Sequence, residues 1–181
     1  MTYVANLRCT RCGRTYATKD RVLKCKEDDG RLNVEYDYDA VASEVSREVF
    51  ERRHGGLWKY HELLPIENDK NIVTLGEVQT PLIRCRNLAR FLGMRNLYVK
   101  DDTKNPTSSF KDRPMTVGVS KAVELGFDAT VSASSGNAAA ALAAYSARAG
   151  LTCYTFVPEM ASPGKIAQLK MFGANVVRLR G

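Results

Sequence analysis

A lysine that directly follows a phenylalanine, Lys111 after Phe110, has the clearest potential for covalent chemistry in this sequence. The turn residues Asn105–Pro106 precede it, and apolar side chains at helical spacing over 112–125 place it at the start of a predicted helix. A helix start disfavours a cation, and Phe110 could exclude water, so both features suit a neutral amine that forms a Schiff base. The alternative is a surface lysine whose stem lies over Phe110.

A second candidate site is the turn Ser134-Ser135-Gly136-Asn137, which joins a predicted strand to an alanine-rich helix. Its backbone N–H groups and the positive helix end predict a binding site for a carboxylate or phosphate at the carboxyl edge of a parallel sheet. The alternative is ordinary capping of the helix by Ser135. Asn137 favours the binding interpretation, because asparagine is a poor helix former where alanine would serve.

The N-terminal region carries most of a zinc-ribbon pattern. Cys9 and Cys12 form a Cys-x-x-Cys pair, twelve residues follow, and Cys25 begins a second pair in which Asp28 occupies the position of the fourth cysteine. Zinc also accepts carboxylate oxygen, so a site of three cysteines and one aspartate is chemically possible. Structural zinc prefers sulfur and nitrogen ligands, so we predict a ribbon-shaped hairpin without metal and keep bound zinc as the alternative.

Strands and helices alternate through the second half of the chain, which predicts an α/β fold with parallel strands and right-handed crossovers. The predicted strands cover 97–100, 129–133, 152–157 and 175–179, and the predicted helices cover 112–125, 137–149 and 163–172. Before them, Val41, Val45 and Val49 predict one helix with a packed face. We expect a ribbon-like module over residues 1–39 and a catalytic region over 40–181.

Four segments together resemble the pyridoxal-phosphate enzymes of the tryptophan-synthase-β type, and within them most closely the threonine synthases. They are Thr80-Pro81-Leu82, Asn105 to Arg113, Ser134 to Asn137 and Ala143 to Gly150. The resemblance implies the three-layer, parallel-sheet architecture of fold type II. It also implies that Lys111 holds pyridoxal 5'-phosphate as a Schiff base, that Asn137 hydrogen-bonds the phenolic oxygen of the pyridoxal ring, and that Ser134, Ser135 and Gly136 bind the carboxylate of an amino-acid substrate.

The reaction implied by this resemblance converts O-phosphohomoserine and water into L-threonine and phosphate. Two residues depart from the family pattern, since Ser108 stands where glycine is usual and Ala138 stands where threonine synthases usually have threonine. We expect Ser108 to disturb its loop little if its backbone angles are ordinary. The family's glycine-rich loop for the cofactor phosphate lies beyond Gly181, so we expect an N-terminal portion of a homodimeric enzyme that lacks appreciable activity alone.

Composition and motifs leave further interpretations open. The first six residues lack the basic-then-apolar order of a secretory signal and no apolar run is long enough to cross a bilayer, so we expect a cytoplasmic protein without a membrane partner. Residues 81–181 hold 14 basic and 6 acidic side chains, a net charge of +8. A noncatalytic nucleic-acid-binding module is therefore an alternative, but scattered basic residues without interleaved aromatics argue against it. The same motifs would also suit a related enzyme, such as a cysteine or cysteate synthase or a threonine dehydratase, or a noncatalytic relative.

Overall fold

The computed structural model describes residues 2–180, which begin with a three-stranded antiparallel sheet. Its strands are β1 (Val4–Cys9), β2 (Thr15–Tyr16) and β3 (Leu32–Tyr36), in the order β2-β1-β3. The β1–β2 connection carries the first cysteine pair, and the β2–β3 connection carries Cys25 and Asp28. These three strands and their two connections, residues 4–36, are called the ribbon below.

Two short helices, α1 (Tyr38–Glu44) and α2 (Arg47–Arg52), follow the ribbon. The prediction of one continuous helix with a packed valine face was wrong, because Val45 adopts extended backbone angles (φ −125°, ψ 121°) and neither helix buries a residue. β-branched valines lose rotamer freedom in a helix, and Ser46 is a better helix start than a helix interior. The chain then continues through 3₁₀ turns at Leu57–Leu63 and Asp69–Asn71.

A small antiparallel unit precedes the main sheet. Strand β4 (Leu82–Arg84) pairs antiparallel with β5 (Tyr98–Lys100), and α3 (Arg86–Phe91) connects them. The strand predicted at 97–100 is therefore present, but it pairs with β4 and not with the parallel sheet. Residues 85–97, which include α3, connect the two strands and return the chain in the opposite direction.

The parallel α/β region has a regular order. It comprises α4 (Asp112–Glu124), β6 (Ala129–Ser132), α5 (Asn137–Ala149), β7 (Thr152–Pro158), α6 (Pro163–Met171) and β8 (Asn175–Leu179). Strand β6 pairs parallel with β7, and β7 pairs parallel with β8. Each helix is followed closely by a glycine with positive φ, at Gly126, Gly150 and Gly173, which terminates the helix in the left-handed region. The predicted α/β class is confirmed.

Helix α5 is buried on two sides. One side packs on the sheet and on α6 through a cluster that contains Ala139, Ala140, Ala143, Val157 and Leu169. The other side packs on α4 through a cluster of Val73, Val119, Ala141 and Tyr145. Small alanine side chains allow this close approach on both sides, which accounts for the composition of the helix. In the described part of the chain, none of the helices is both long and apolar enough to cross a bilayer.

Candidate active site

Lys111 lies where the sequence places it, at the N-cap of α4, with helical backbone angles (φ −66°, ψ −17°). Its side chain is half-buried, and Nζ lies 4.5 Å from the centroid of the Phe110 ring. The ring is 55% exposed, so it contacts the amine without shielding it from water. The water exclusion that we expected from Phe110 is therefore not provided by this ring.

Asp112 anchors the loop that carries Lys111. It is fully buried, and its Oδ2 accepts hydrogen bonds from Thr107 N at 3.1 Å and Thr107 Oγ1 at 2.9 Å. Lys111 N donates to Ser109 Oγ at 3.1 Å. Both ends of the loop are thus tied to the first turn of α4, so the backbone of Lys111 is held in place. The sequence analysis did not identify Asp112, whose burial depends on how the loop folds onto α4.

Ser108 adopts a left-handed backbone, with φ of 60°. The expectation that this residue disturbs the loop little depended on ordinary backbone angles, and that condition does not hold. An L-residue pays for this conformation, whereas glycine adopts it without a steric penalty. The local conformation therefore suits the glycine that is usual in the related enzymes.

An ion pair joins α4 to the Thr80-Pro81 segment. Arg113 Nη2 lies 2.9 Å from Asp102 Oδ1, and Thr80 Oγ1 donates to the same oxygen at 2.7 Å. The Arg113 guanidinium, aided by Thr80, lowers the pKa of Asp102 below its usual range. A cleft of about 310 Å³ lies beside this pair and is also lined by Lys59 and Lys100. A positively charged cleft thus adjoins the helix that carries Lys111.

The Ser134–Asn137 turn forms the other predicted half of the site. Strand β6 ends at Ser132, and α5 begins at Asn137 with Gly136 as its N-cap. Gly136 N donates to Ser134 Oγ at 3.1 Å, and no side chain caps the helix. The alternative of capping by Ser135 was therefore wrong. Among residues 2–180, no side chain accepts a hydrogen bond from the first-turn N–H groups of α5, and Asn137 is exposed.

The two halves lie at the N-terminal ends of α4 and α5, which pack against each other. A groove lined by Pro106, Thr107, Ala144 and Ala147 brings the lysine loop against the second half of α5. Ala144 is about 10 Å along the helix from Asn137, at 1.5 Å per residue. Within residues 2–180, no hydrogen bond or ion pair joins Lys111 to Ser134–Asn137. The two halves therefore lie on neighbouring, packed helices and are not joined by a polar contact in the described residues.

A buried tyrosine near this loop was missed by sequence reasoning. The hydroxyl of Tyr145 has no hydrogen-bond partner in the described structure, and both Asp112 Oδ1 and this hydroxyl are buried. Burial raises the pKa of Tyr145, and the nearby carboxylates of Glu77 and Asp112 raise it further. The signal in the sequence was a lone aromatic residue among alanines and serines, which marks a position where α5 has room for a large side chain.

Comparison with known proteins defines the class. Residues 73–181 match the family described as pyridoxal-phosphate dependent enzymes, and the chain belongs to that family. This result confirms pyridoxal phosphate as the predicted cofactor. The matched range contains all four segments that carry the resemblance, and it begins after the ribbon.

Among individual relatives, the chain is 46% identical over 175 residues to a threonine synthase from Methanocaldococcus jannaschii. It is 43% identical over 177 residues to a threonine synthase from Methanosarcina acetivorans. These alignments cover 96% and 97% of this chain but 43% of each relative. The predicted resemblance to threonine synthases is confirmed, and the chain spans less than half the length of these relatives.

Solved structures agree on the fold type. A pyridoxal 5'-phosphate-dependent aspartate racemase is 26% identical, with a TM-score of 0.58, over 76% of this chain and 39% of that chain. A serine racemase from Dictyostelium discoideum is 30% identical, with a TM-score of 0.52, over 57% of this chain and 34% of that chain. The α/β region is thus similar to fold-type-II enzymes.

The residues present fit the cofactor chemically. Lys111 offers a primary amine that is only half-buried, which suits attachment to an aldehyde. The start of α5 offers open N–H groups and an exposed amide, which suit an anion and a ring oxygen. The two turns, at the starts of adjacent helices, thus supply the amine and the hydrogen-bond donors that the cofactor requires.

Proposed function

We propose that this chain is part of a threonine synthase-like enzyme that converts O-phosphohomoserine and water into L-threonine and phosphate. The observation that carries the proposal is the 46% identity to a threonine synthase over 96% of the chain. The two turns support it, because Lys111 and Ser134–Asn137 occupy the ends of neighbouring helices with the donor groups that such an enzyme requires. We further propose that the enzyme acts in the cytoplasm.

Each residue has a separate role in this proposal. Lys111 Nζ attaches the cofactor and moves protons at the α and β carbons of the substrate. The backbone N–H groups of Ser134, Ser135 and Gly136 bind the substrate carboxylate, helped by the positive end of α5. The Asn137 amide orients the cofactor by donating to its phenolic oxygen. The bound cofactor supplies an electron sink, so the protein contributes orientation and proton transfer.

The lysine assignment is tested by adding pyridoxal phosphate to the chain, reducing with borohydride and mapping the modified peptide by mass spectrometry. We expect the label on Lys111 and its loss in Lys111→Ala. Lys104→Ala is the matched control, because Lys104 is an exposed lysine in the same loop region. Equal labelling of Lys104 and Lys111, or undiminished labelling of Lys111→Ala, would contradict the assignment.

One residue favours a second candidate within the same superfamily. Ala138, in the first turn of α5, lacks the hydroxyl that threonine synthases usually place near the substrate phosphate. A related β-replacement or elimination enzyme, such as a cysteine synthase or threonine dehydratase, would not need that group. The products formed by an enzyme extended to the length of the relatives distinguish the two candidate functions. Threonine and phosphate should form from O-phosphohomoserine only if the first proposal is right.

A further inference from the structure

The ribbon brings four potential metal ligands together. Cys9, Cys12, Cys25 and Asp28 each offer one ligand atom, and these atoms all lie within 4.8 Å of one another. Cys12 Sγ lies 3.5 Å from Cys25 Sγ, and Cys9 Sγ lies 3.3 Å from Asp28 Oδ1. In a tetrahedral zinc site with bonds of about 2.0–2.3 Å, neighbouring ligand atoms are about 3.5–3.8 Å apart. These two spacings are close to the tetrahedral values, and all the other pairs lie within 4.8 Å.

The two cysteine turns have the same backbone hydrogen-bond pattern. In each turn, the backbone N–H of the first cysteine donates to the carbonyl oxygen five residues later. The carbonyl oxygen of that cysteine accepts a hydrogen bond from the N–H four residues later. Its Sγ accepts a hydrogen bond from the N–H two residues later. In the Cys9 turn the bonds are Cys9 N to Arg14 O, Gly13 N to Cys9 O and Arg11 N to Cys9 Sγ. In the Cys25 turn they are Cys25 N to Gly30 O, Asp29 N to Cys25 O and Glu27 N to Cys25 Sγ.

This correspondence makes Asp28 the structural equivalent of Cys12. The following residues also correspond, because Gly13 and Asp29 both have positive φ, at 76° and 55°. Asp29 thus preserves a left-handed turn that usually requires glycine. The second turn therefore retains the geometry of a metal-binding knuckle although its second ligand is a carboxylate.

The ribbon also lacks an apolar core of its own. Among residues 2–37, the only buried positions are Cys9, Cys25 and Gly30. A side-chain carbon added at Gly30 would lie 2.6 Å from Cys9 Sγ and 2.8 Å from Asp28 Oδ1, so the cluster is closed on that side. Small modules that bury few apolar side chains are commonly stabilised by a bound metal. Here the buried centre consists of Cys9, Cys25 and Gly30, and the exposed Cys12 closes the cluster from the solvent side.

We propose that Cys9, Cys12, Cys25 and Asp28 bind one Zn²⁺ in a tetrahedral structural site. The sequence alone favoured a hairpin without metal, because structural zinc prefers sulfur and nitrogen. The matching knuckles and the absence of another core in residues 2–37 favour the metal. Binding replaces the three thiol protons by bonds to zinc and releases those protons to solvent, while Asp28 binds as a carboxylate. This site is independent of the reaction proposed for Lys111.

The test is elemental analysis of the chain purified under reducing conditions with Zn²⁺ present. We expect one zinc per chain, and Co²⁺ substitution should give the charge-transfer absorption of thiolate-bound cobalt. Asp28→Cys should retain one metal with stronger charge-transfer absorption, and Asp28→Ala should weaken zinc affinity at least tenfold. Asp29→Gly is the matched control, because it removes the adjacent carboxylate while keeping the left-handed turn, and its affinity should equal that of the parent.

Three results would overturn the proposal. The first is a folded chain without zinc whose three ribbon thiols all react freely with a thiol reagent. The second is a Cys12–Cys25 disulfide in protein kept under reducing conditions. The third is an unchanged affinity in Asp28→Ala, which would exclude Asp28 as a ligand. If Asp28→Ala fails to fold, comparing Asp28→Cys with the parent still shows whether residue 28 is a ligand. Identical cobalt spectra of the two proteins would exclude coordination through residue 28.

Discussion

At the scale of single residues, Ser108 shows how one backbone angle bears on the lysine loop. Its left-handed conformation, with φ of 60°, costs an L-residue about 1–2 kcal/mol. Glycine removes that cost but loses about 0.5–1 kcal/mol through its greater freedom in the unfolded chain. Glycine at position 108 should therefore make the fold slightly more stable. A β-branched side chain there should increase the strain of the left-handed backbone.

We therefore expect Ser108→Gly to raise the free energy of unfolding by up to about 1 kcal/mol and Ser108→Val to lower it by about 1–2 kcal/mol, measured by urea denaturation. Ser162→Gly is the control, because Ser162 has an ordinary φ of −60° and should gain nothing from glycine. A loss of stability in Ser108→Gly as large as that in Ser162→Gly would contradict the argument.

Glu62 is a buried carboxylate with a predictable pH dependence. Its two oxygens each accept a hydrogen bond of 2.7 Å from Arg53, and this contact lowers the pKa of Glu62 from 4.5 to about 2. A lowered pKa in the folded state stabilises the fold above the unfolded value. That contribution is lost as the pH falls from about 4.5 through about 2.

Glu62→Gln should lower the free energy of unfolding by about 2 kcal/mol at neutral pH, because Arg53 loses its charged partner. The difference from the parent should shrink as the pH falls through the same window, measured by denaturation at a series of pH values. Glu51→Gln is the control, since Glu51 is an exposed partner of Arg47 and its removal should cost little. A constant difference at all pH values would show that Glu62 titrates normally.

At the scale of elements, the alternation from residue 112 onward was predictable nearly to the residue. Glycine punctuation and apolar periodicity are local signals, and Gly126, Gly150 and Gly173 end their helices as expected. Pairing is not local. Local signals do not determine the partner of β5, which pairs antiparallel with β4 and lies outside the parallel sheet.

For the candidate site, the sequence predicted the positions of the residues but not the contacts between distant segments. Residue types in the sequence located Lys111 and the Ser134–Asn137 turn, and each lies at a helix start. Contacts between distant segments were not readable, so the burial of Asp112 and the placement of Tyr145 near it were missed. The metal ligands of the ribbon show the same limit, because the equivalence of Asp28 and Cys12 depends on backbone hydrogen bonds that spacing alone does not determine.

The alanine face of α5 gives a prediction at this scale. Ala143 is fully buried between helix and sheet, whereas Ala147 on the next turn is exposed. Ala143→Leu should lower the free energy of unfolding by about 1–3 kcal/mol through overpacking. Ala147→Leu introduces the same side chain where there is space and should change stability by less than about 0.5 kcal/mol, both measured by thermal or urea unfolding. Equal effects at the two positions would show that α5 is not closely packed.

At the scale of the whole molecule, the ribbon and the α/β region touch directly. Arg21 Nη2 donates to Gly126 O at 3.2 Å, and its guanidinium lies 5.1 Å from the centroid of the Phe127 ring. Tyr36 OH, at the end of β3, donates to Leu63 O of the Leu57–Leu63 turn at 2.7 Å. We propose the division into a ribbon over 1–39 and a catalytic region over 40–181, and a homodimer for the enzyme extended to the length of its relatives.

The order β6-β7-β8 leaves β6 and β8 with one neighbour each in the described sheet. Val131 on β6 is 65% exposed and Leu179 on β8 is 51% exposed, so two open strand edges carry apolar side chains. The net charge of +7 keeps molecules apart, but salt shortens the reach of that repulsion to about 8 Å at 0.15 M. The chain should therefore be most soluble at low ionic strength, and light scattering should rise as sodium chloride is added.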